Sequence, residues 1–424
     1  MMNSELLRKE IGRCVVCGTC RSVCPTTRVL NRETSCARGK LTLIGALSNG
    51  EIQMSEEYVR HIKECALCGA CKDSCPNGVD TVGAFVAARA EIVAKQGLPF
   101  AAQMILKALI DPGGLKGTAI KIAGALQGLF LKDASAEAGL VSRFSLPVIG
   151  GGRLLPPLAK QTFLEMSRVK TLAVPIAQGT SVKKVAFYAG CGVNYLMPQV
   201  GSATLDVLER AGVAICVPPE QVCCGMPAYS MGDKDTARAM ALKNLEAFEA
   251  YDVDYITTSC ATCGHGLKKL FKELLSDDPA LSRRVSAFSA KVRDITELLT
   301  NELGFIGKAG AKAAEEKVTV TYHDPCHLNR AQGIRREPRA LLANAPSLSY
   351  KEMRFPCSCC GLGGGLSTTN YDLSIEISRR KAESIALSGA QVVATACPGC
   401  IVQLRDALHR YGVDAKVAHV VELL

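Results

Sequence analysis

The chain has 424 residues, a hydrophobic fraction of 48%, aromatics at only 5% with no Trp, and a formal net charge of +10. That length is more than one hydrophobic core ordinarily serves, so two or three domains are expected. So few aromatics argue against a base-stacking platform, and no nucleic acid is expected as a partner despite the positive charge.

The opening residues, MMNSELLRKEIGRC, mix acids with bases and contain no apolar run. They predict neither a secretory nor a twin-arginine leader, and so a cytoplasmic protein. In a reducing compartment, the eighteen of 21 cysteines that fall in spaced groups read as thiolate metal ligands rather than a disulfide framework, with zinc as the metal competing with iron–sulfur. A [4Fe–4S] cube with four thiolates carries about −2 when oxidised, so several clusters would cancel much of the excess charge. Arg8, Lys9, Arg13, Arg21, Arg28, Arg32, Arg38 and Lys40 outnumber Glu5, Glu10 and Glu33 in the first segment, which reads as basic surface around anionic clusters.

The first elements are two cysteine groups, Cys14, Cys17, Cys20, Cys24 and Cys65, Cys68, Cys71, Cys75, each spaced C-x2-C-x2-C-x3-C and followed by Pro25 or Pro76. One interval relates all four pairs, so 1–95 contains an internal duplication. Three ligands within seven residues can wrap three corners of a cube, while the fourth corner needs a cysteine from elsewhere. In bacterial two-cluster ferredoxins the fourth cysteine of each group crosses to the other cluster. Cys14, Cys17, Cys20 and Cys75 are therefore assigned to one cubane, and Cys65, Cys68, Cys71 and Cys24 to the other. Paired zinc ribbons would instead need two C-x2-C pairs per site and no third nearby cysteine. Between the groups, TSCARGKLTLIGALSNG and SEEYVRHIKE predict helices.

From 96 to 180 a helical connecting region without cysteine is expected, punctuated by turn signals at Asp111-Pro-Gly-Gly, Gly150-Gly-Gly and Pro156-Pro. The segment AIKIAGALQGLFL (119–131) carries Lys121 and Gln127 and is too short to span a bilayer. It reads as a helix packed on the protein's own core, or as a docking face for a subunit or membrane.

The C-terminal half duplicates a second pattern: Cys191, Cys223, Cys224, Cys260, Cys263 over 181–305, then Cys326, Cys359, Cys360, Cys397, Cys400 over 306–424. RDITELL (293–299) ends one copy and AHVVELL (418–424) the other. The runs KKVAFYAGC, DYITTSC, KVTVTYHDPC and AQVVATAC predict strands that deliver a cysteine at the carboxyl end. PQVGSATLDVLERAG, DKDTARAMALKNLEAFEAYD, REPRALLANA and NYDLSIEISRRKAESIALSG predict the intervening helices. The fold class expected is α/β: an α-rich N-terminal two-cluster ferredoxin module, then two tandem Rossmann-like cysteine-rich repeats with mostly parallel sheets. Ligand sites in such sheets lie beyond the strands' carboxyl ends, where these cysteines fall.

The succession GC191, VCCG (222–225), SCATC (259–263), DPCH (324–327), SCCG (358–361), ACPGC (396–400) resembles the cysteine-rich CCG domain. That domain occurs in heterodisulfide reductases and in the iron–sulfur subunits of glycolate oxidase, D-lactate dehydrogenase and anaerobic glycerol-3-phosphate dehydrogenase. The resemblance covers nearly the whole chain, because those subunits also place a two-cluster ferredoxin module before two such domains. It implies that each five-cysteine motif holds a non-cubane [4Fe–4S] cluster, giving one or two further clusters, with zinc or an ordinary cube as the alternative. Glycolate oxidase-type subunits often lack several of the ten cysteines, whereas all ten are present here, which moves the cluster chemistry toward the heterodisulfide reductase branch.

Cys36, Cys216 and Cys357 are left over and read mainly as small buried residues, with Cys357 a candidate redox-active thiol. His323 and His327 flank Cys326 and His265 follows Cys263; they are candidates to protonate a substrate thiolate or quinone, or to orient a cluster loop. Gly361-Leu-Gly-Gly-Gly lacks the Gly-Lys-Ser/Thr of a phosphate loop and reads as backbone packed tightly over a cluster, so no FAD or NAD is expected in this chain. The function expected is an iron–sulfur electron-transfer subunit of a 2-hydroxyacid dehydrogenase complex. An FAD-linked dehydrogenase subunit and a quinone or another electron carrier would be its partners, at the inner face of the cell membrane. The alternatives are a heterodisulfide reductase-like disulfide reductase and a general electron-transfer module.

Overall fold

The protein is described from a computed structural model covering residues 4–111, 124, 127–128, 131–135, 139–142, 153–177, 181–305 and 316–424. The N-terminal module is helical. Its two spacer helices run Ala37–Ser48 and Glu56–Lys63, where the sequence predicts them. Ser55 caps the second by accepting from the Tyr58 amide, and Glu56 and Glu57 sit in its first turn, where the helix dipole favours acids. Thr81–Gln96 then forms a long helix, capped by Asp80, whose buried Phe85, Val86, Ala88 and Ile92 belong to the core shared with the C-terminal half.

Within 96–180, helix Phe100–Ile110 is joined by an element not anticipated, an antiparallel hairpin of β1 (Leu131–Ser135) and β2 (Gly139–Ser142). Leu140 and Leu155 exchange backbone bonds at 2.9 and 2.7 Å, which extends the pairing beyond the hairpin. Of the segment 119–131, only Gly124, Gln127, Gly128 and Leu131 are described, as are Asp111 and the Pro156-Pro157 turn; the rest of the segment, Pro112–Gly114 and the Gly150 turn lie outside the described residues.

The C-terminal half contains two four-stranded, all-parallel sheets. The first uses β3 (Lys184–Phe187), β4 (Ala214–Cys216), β5 (Tyr255–Thr258) and β6 (Val292–Asp294) in the order β4-β3-β5-β6. The second uses β7 (Val318–Tyr322), β8 (Leu348–Tyr350), β9 (Val392–Thr395) and β10 (Lys416–His419) in the order β8-β7-β9-β10. The two orders correspond strand for strand, so the sequence duplication is a duplication of topology. The central strands are almost wholly buried, with every residue of β9 inside, as expected for parallel sheets covered on both faces. Helices Pro198–Arg210, Lys234–Glu249, Glu337–Asn344 and Tyr371–Ser388 supply the cover. Each sheet reverses its winding between its first and third strands, β3 and β5 or β7 and β9, and the crevice beyond such a switch point is where open α/β sheets place their ligands.

Candidate metal centres

In the N-terminal module both cysteine groups wind through the same unusual backbone. Val16 has φ 56° and Gly18 φ 84°; Leu67 has φ 48° and Gly69 φ 72° at the matching positions. A β-branched residue in the left-handed region is uncommon, and strain of this kind concentrates at functional sites. The winding creates two cavities. One is lined by Cys14, Cys17, Cys20, Cys71 and Cys75; the other by Cys24, Cys65, Cys68 and Cys71. Cys75 thus lies with the first group and Cys24 with the second, while Cys71 borders both.

Cys36, read from sequence as packing, has a more particular position. It is fully buried, and its thiol lies 3.1 Å from the Glu33 carbonyl and 3.2 Å from the Glu33 carboxylate. Its hydrogen bond to Cys20 holds that thiol down to about 7. Arg38, paired to Glu33, in turn holds the carboxyl down to about 2. The signal for this role in the sequence is only that Cys36 opens a helix in the spacer, which does not reveal that the helix start packs on Cys20.

In the repeats, β3 and β7 lead to Cys191 and Cys326, and β5 and β9 to Cys260 and Cys397, so the motifs stand at the switch points of the two sheets. Gly225 and Gly361 follow the Cys-Cys pairs with φ 78° and 96°, and a Cβ on Gly361 would lie 2.4 Å from the Ser374 carbonyl oxygen. Only glycine passes there. The ten thiols do not form two isolated groups. Cys191 and Cys223 approach to 3.7 Å and Cys360 and Cys400 to 3.9 Å. Cys224 interacts with Cys223 and Cys263, and Cys260 with both Cys263 and Cys397. The sulfur row is therefore continuous across the repeat interface, where the Ala261 amide also donates to the Ala396 carbonyl at 3.0 Å. Thr262 extends across this seam, with its hydroxyl 3.0 Å from His327 Nδ1 and 3.6 Å from Cys397 Sγ.

The three histidines fall into two settings. The rings of His265 and His327 lie 5.0 Å apart at the seam, both half-buried, and burial lowers the pKa of each. His323 is sealed in the core at 1% exposure and is likewise lowered by burial. Its ring is in side-chain contact with Cys360, and its ligating atom lies within 4.8 Å of the Cys360 and Cys400 sulfurs.

The second ferredoxin cavity abuts repeat 2. Cys68 and Cys359 are in side-chain hydrogen-bonding contact, and Cys326 faces Cys68 and Cys360. The glycine stretch after Cys360 lies against this cavity's own loop: a Cβ on Gly363 would meet the Ala66 carbonyl oxygen at 2.3 Å, and one on Gly364 the Cys65 carbonyl oxygen at 2.3 Å. Arg89 fastens the three parts together, donating at 2.7 Å to Cys65, Ser230 and Gly364 carbonyls. Of the leftover cysteines, Cys216 is buried on β4, with its thiol pushed up to about 12 by burial, and Cys357 is exposed, its carbonyl accepting from Arg330 at 2.7 Å.

The residues fit iron–sulfur groups. All 21 cysteines are free thiols, the grouped ones face shared spaces with almost no other ligating side chain, and the buried His323 among them faces the Cys360 and Cys400 sulfurs.

A 4Fe-4S dicluster domain model matches residues 10–79, and a cysteine-rich domain model, CCG, matches 185–268 and 320–405. The chain is 31% identical over 423 residues to the probable glycolate oxidase iron-sulfur subunit of Bacillus subtilis (strain 168), covering 98% of this chain and 93% of that one. It is 30% identical over 423 residues to a fumarate reductase (CoM/CoB) subunit of Methanothermobacter marburgensis, covering 98% and 72%. Lactate utilization protein A of an Exiguobacterium species is 34% identical over 240 residues, or 57% of this chain and 96% of that protein. Among solved structures, a hypothetical protein from Helicobacter pylori matches with TM-score 0.51 at 11% identity, covering 99% of this chain and 72% of the other, a likeness of fold alone.

Proposed function

Because the chain belongs to the family of cysteine-rich CCG iron–sulfur proteins with an N-terminal 4Fe-4S dicluster domain, we propose that it is the electron-carrying subunit of a 2-hydroxyacid dehydrogenase complex of the glycolate/lactate type. An FAD-linked partner subunit oxidises the hydroxyacid, and this chain takes the electrons on to a quinone or another carrier, binding no FAD or NAD itself. The observation that carries the reading is the 31% identity that runs through 98% of this chain and 93% of the Bacillus subtilis relative. Among the described residues no helix is long and apolar enough to cross a membrane, so attachment to the inner face of the cell membrane would be peripheral.

On this reading the chain divides into a ferredoxin module (1–95), a connecting region (96–180) and two CCG repeats (181–305 and 306–424). Cys14, Cys17, Cys20 and Cys75 hold one cubane, and Cys24, Cys65, Cys68 and Cys71 the other; the linings of the two cavities support this division. The ten repeat cysteines hold one or two non-cubane clusters. A [4Fe–4S] cluster, once bound, takes up and gives up electrons at a potential its surroundings adjust. The chain's own part is to set the cysteine groups in a row with Cys68 against Cys359 and Cys260 against Cys397, and to bury seven of the ten repeat cysteines away from water. The experiment is deletion of the gene combined with affinity purification of the chain. Loss of hydroxyacid oxidation and copurification of an FAD-containing subunit are expected; intact oxidation and no flavoprotein would refute the reading.

A second reading, a disulfide reductase, is favoured by the seam itself, where sulfurs of both complete motifs meet beside Thr262, His265 and His327. There His327 is the better placed to protonate a leaving thiolate, because His323 is closed off from any substrate. Cluster EPR signals unchanged by added thiol–disulfide substrates would eliminate this reading.

A further inference from the structure

Burying a charge without a counter-charge costs several kcal/mol in a protein interior. Lys40, Arg89 and Lys381 are 1%, 3% and 0% exposed. Among the described residues none of them has a carboxylate within salt-bridge distance. Lys40 donates to the Thr34 and His61 carbonyls, Arg89 to five carbonyls, and Lys381 to those of Phe355 and Pro356. The nearest acids are committed elsewhere: Glu64 to Arg32 at 2.6 Å and Asp324 to Arg339 at 2.8 Å. What the three cations do face is sulfur. Lys40 lines the second cavity with Cys24, Cys65 and Cys68, Arg89 holds the Cys65 carbonyl at 2.7 Å, and Lys381 holds the Phe355 and Pro356 carbonyls that lead into Cys359 and Cys360, with Cys360 toward its ammonium.

Among the described residues the remaining two sites have no such group. Around the first cavity Arg13 and Arg38 are partly exposed and paired with Glu10 and Glu33. In repeat 1 the residue at the interval that relates Cys260 to Cys397 is Asn244 in place of Lys381. It bonds the Cys223 carbonyl and the Val222 amide at 3.0 Å and carries no charge.

We infer that Lys40, Arg89 and Lys381 are the built-in counter-charges of anionic clusters in the second ferredoxin cavity and in repeat 2, and that they make these two sites the electron-accepting members of the row. The inference rests on the proposed occupancy of both sites, and adds a direction to it. A fixed positive charge beside a cluster stabilises its reduced form, so an electron passes from the first cavity to the second, and between the repeats from repeat 1 to repeat 2, with no bond made or broken.

The test is an anaerobic redox titration of the iron-loaded full-length chain, followed by EPR, with the repeat 2 signal identified by its loss in Cys360→Ala. Lys381→Met is expected to lower the repeat 2 midpoint, so that at the wild-type midpoint the reduced-to-oxidised ratio falls about tenfold, 59 mV for a one-electron couple. The first-cavity and repeat 1 signals should stay in place. Lys40→Met should do the same to the second cavity, and Lys381→Arg, which keeps the charge, should hold the wild-type midpoint. Full iron content with unmoved midpoints in both methionine variants would overturn the inference. Iron lost from repeat 2 in Lys381→Met and restored in Lys381→Arg supports the counter-charge, while loss in both variants contradicts it. Wild-type chain lacking repeat 2 iron would refute the occupancy itself, a different outcome.

Discussion

Repeat 1 and repeat 2 have the same strand order and the same cysteine pattern, but their surroundings diverge in charge. Where repeat 2 places His323, Asp324, Arg330 and Lys381 around its motif, the corresponding positions of repeat 1 are Tyr188, Ala189, Tyr195 and Asn244. The polar groups of repeat 1 are neutral and satisfied locally: Tyr188 donates to the Val222 carbonyl, and Gln221 accepts from the Ala189 amide at 2.8 Å. Those of repeat 2 form an ionic layer reaching from Arg339 and Asp324 to Lys381. Both copies touch the ferredoxin module, repeat 1 through Ser230 and Gly232 against Arg89, but it is repeat 2 that sets a motif cysteine, Cys359, against a ferredoxin cysteine, Cys68. One scaffold has thus been used twice, with its electrostatics differentiated according to neighbour.

The largest effect expected concerns the equivalent residues that end the two sheets. Asp294 and His419 each cap the next turn with a reciprocal box to Glu297 and Glu422, and both are buried. Burial raises Asp294 to about 7 and lowers His419 to about 4. Raised above its unfolded value, Asp294 contributes stability below pH about 4 that is lost as pH rises through about 7. His419, depressed, contributes stability above pH about 6.5 that is lost as pH falls through about 4. Urea unfolding between pH 5 and 7.5 should show Asp294→Asn removing a downward slope and His419→Gln removing an upward one, each on the order of 3 kcal/mol at most. Slopes that change in the same sense would break the comparison.

Next in size are the glycines after the Cys-Cys pairs. A Cβ on Gly361 would stand 2.4 Å from the Ser374 carbonyl oxygen, whereas one on Gly225 finds its nearest neighbour, the Ala237 carbonyl oxygen, at 3.0 Å. Gly361→Ala should cost about 2–3 kcal/mol in denaturant titration and Gly225→Ala about 1–2 kcal/mol, because both are strained by positive φ but the first meets backbone much closer than the second. Equal losses would mean that repeat 2 is no tighter than repeat 1 at this point.

Much of this arrangement is legible in the sequence, for physical reasons that differ by element. The strands β3, β5, β7 and β9 announce themselves as apolar β-branched runs leading to cysteine, and the structure buries the carboxyl-terminal three residues of each. Strands β4 and β8 are three residues each, too short for any period, and were found only by the structure. The crossing of Cys24 and Cys75 is an expectation from the ferredoxin-like spacing that the cavity linings support, but the meetings of Cys68 with Cys359 and Cys260 with Cys397 depend on how modules dock, which no local pattern encodes. The glycine stretch at 361–365 reads as close packing, yet its neighbour is the ferredoxin loop of Cys65 and Ala66, a surface invisible until both are folded.

The smallest effect belongs to the seam. Thr262 of repeat 1 bonds His327 of repeat 2, while its counterpart, Gly399, has no side chain with which to reciprocate. Thr262→Val should cost about 1 kcal/mol and alter the pH profile of any reaction at the seam, since His327 loses its neighbour; Gly399→Ser should restore nothing. A silent Thr262→Val would show that the two repeats meet there without consequence.

Most depends on whether both repeats, and not the ferredoxin module alone, carry iron. Iron and acid-labile sulfide counted per chain in anaerobically purified protein, with zinc measured on the same sample, tests this directly. About sixteen irons and as many sulfides, four [4Fe–4S] groups, is the result predicted. About eight irons, with the repeats empty or holding zinc, would contradict it.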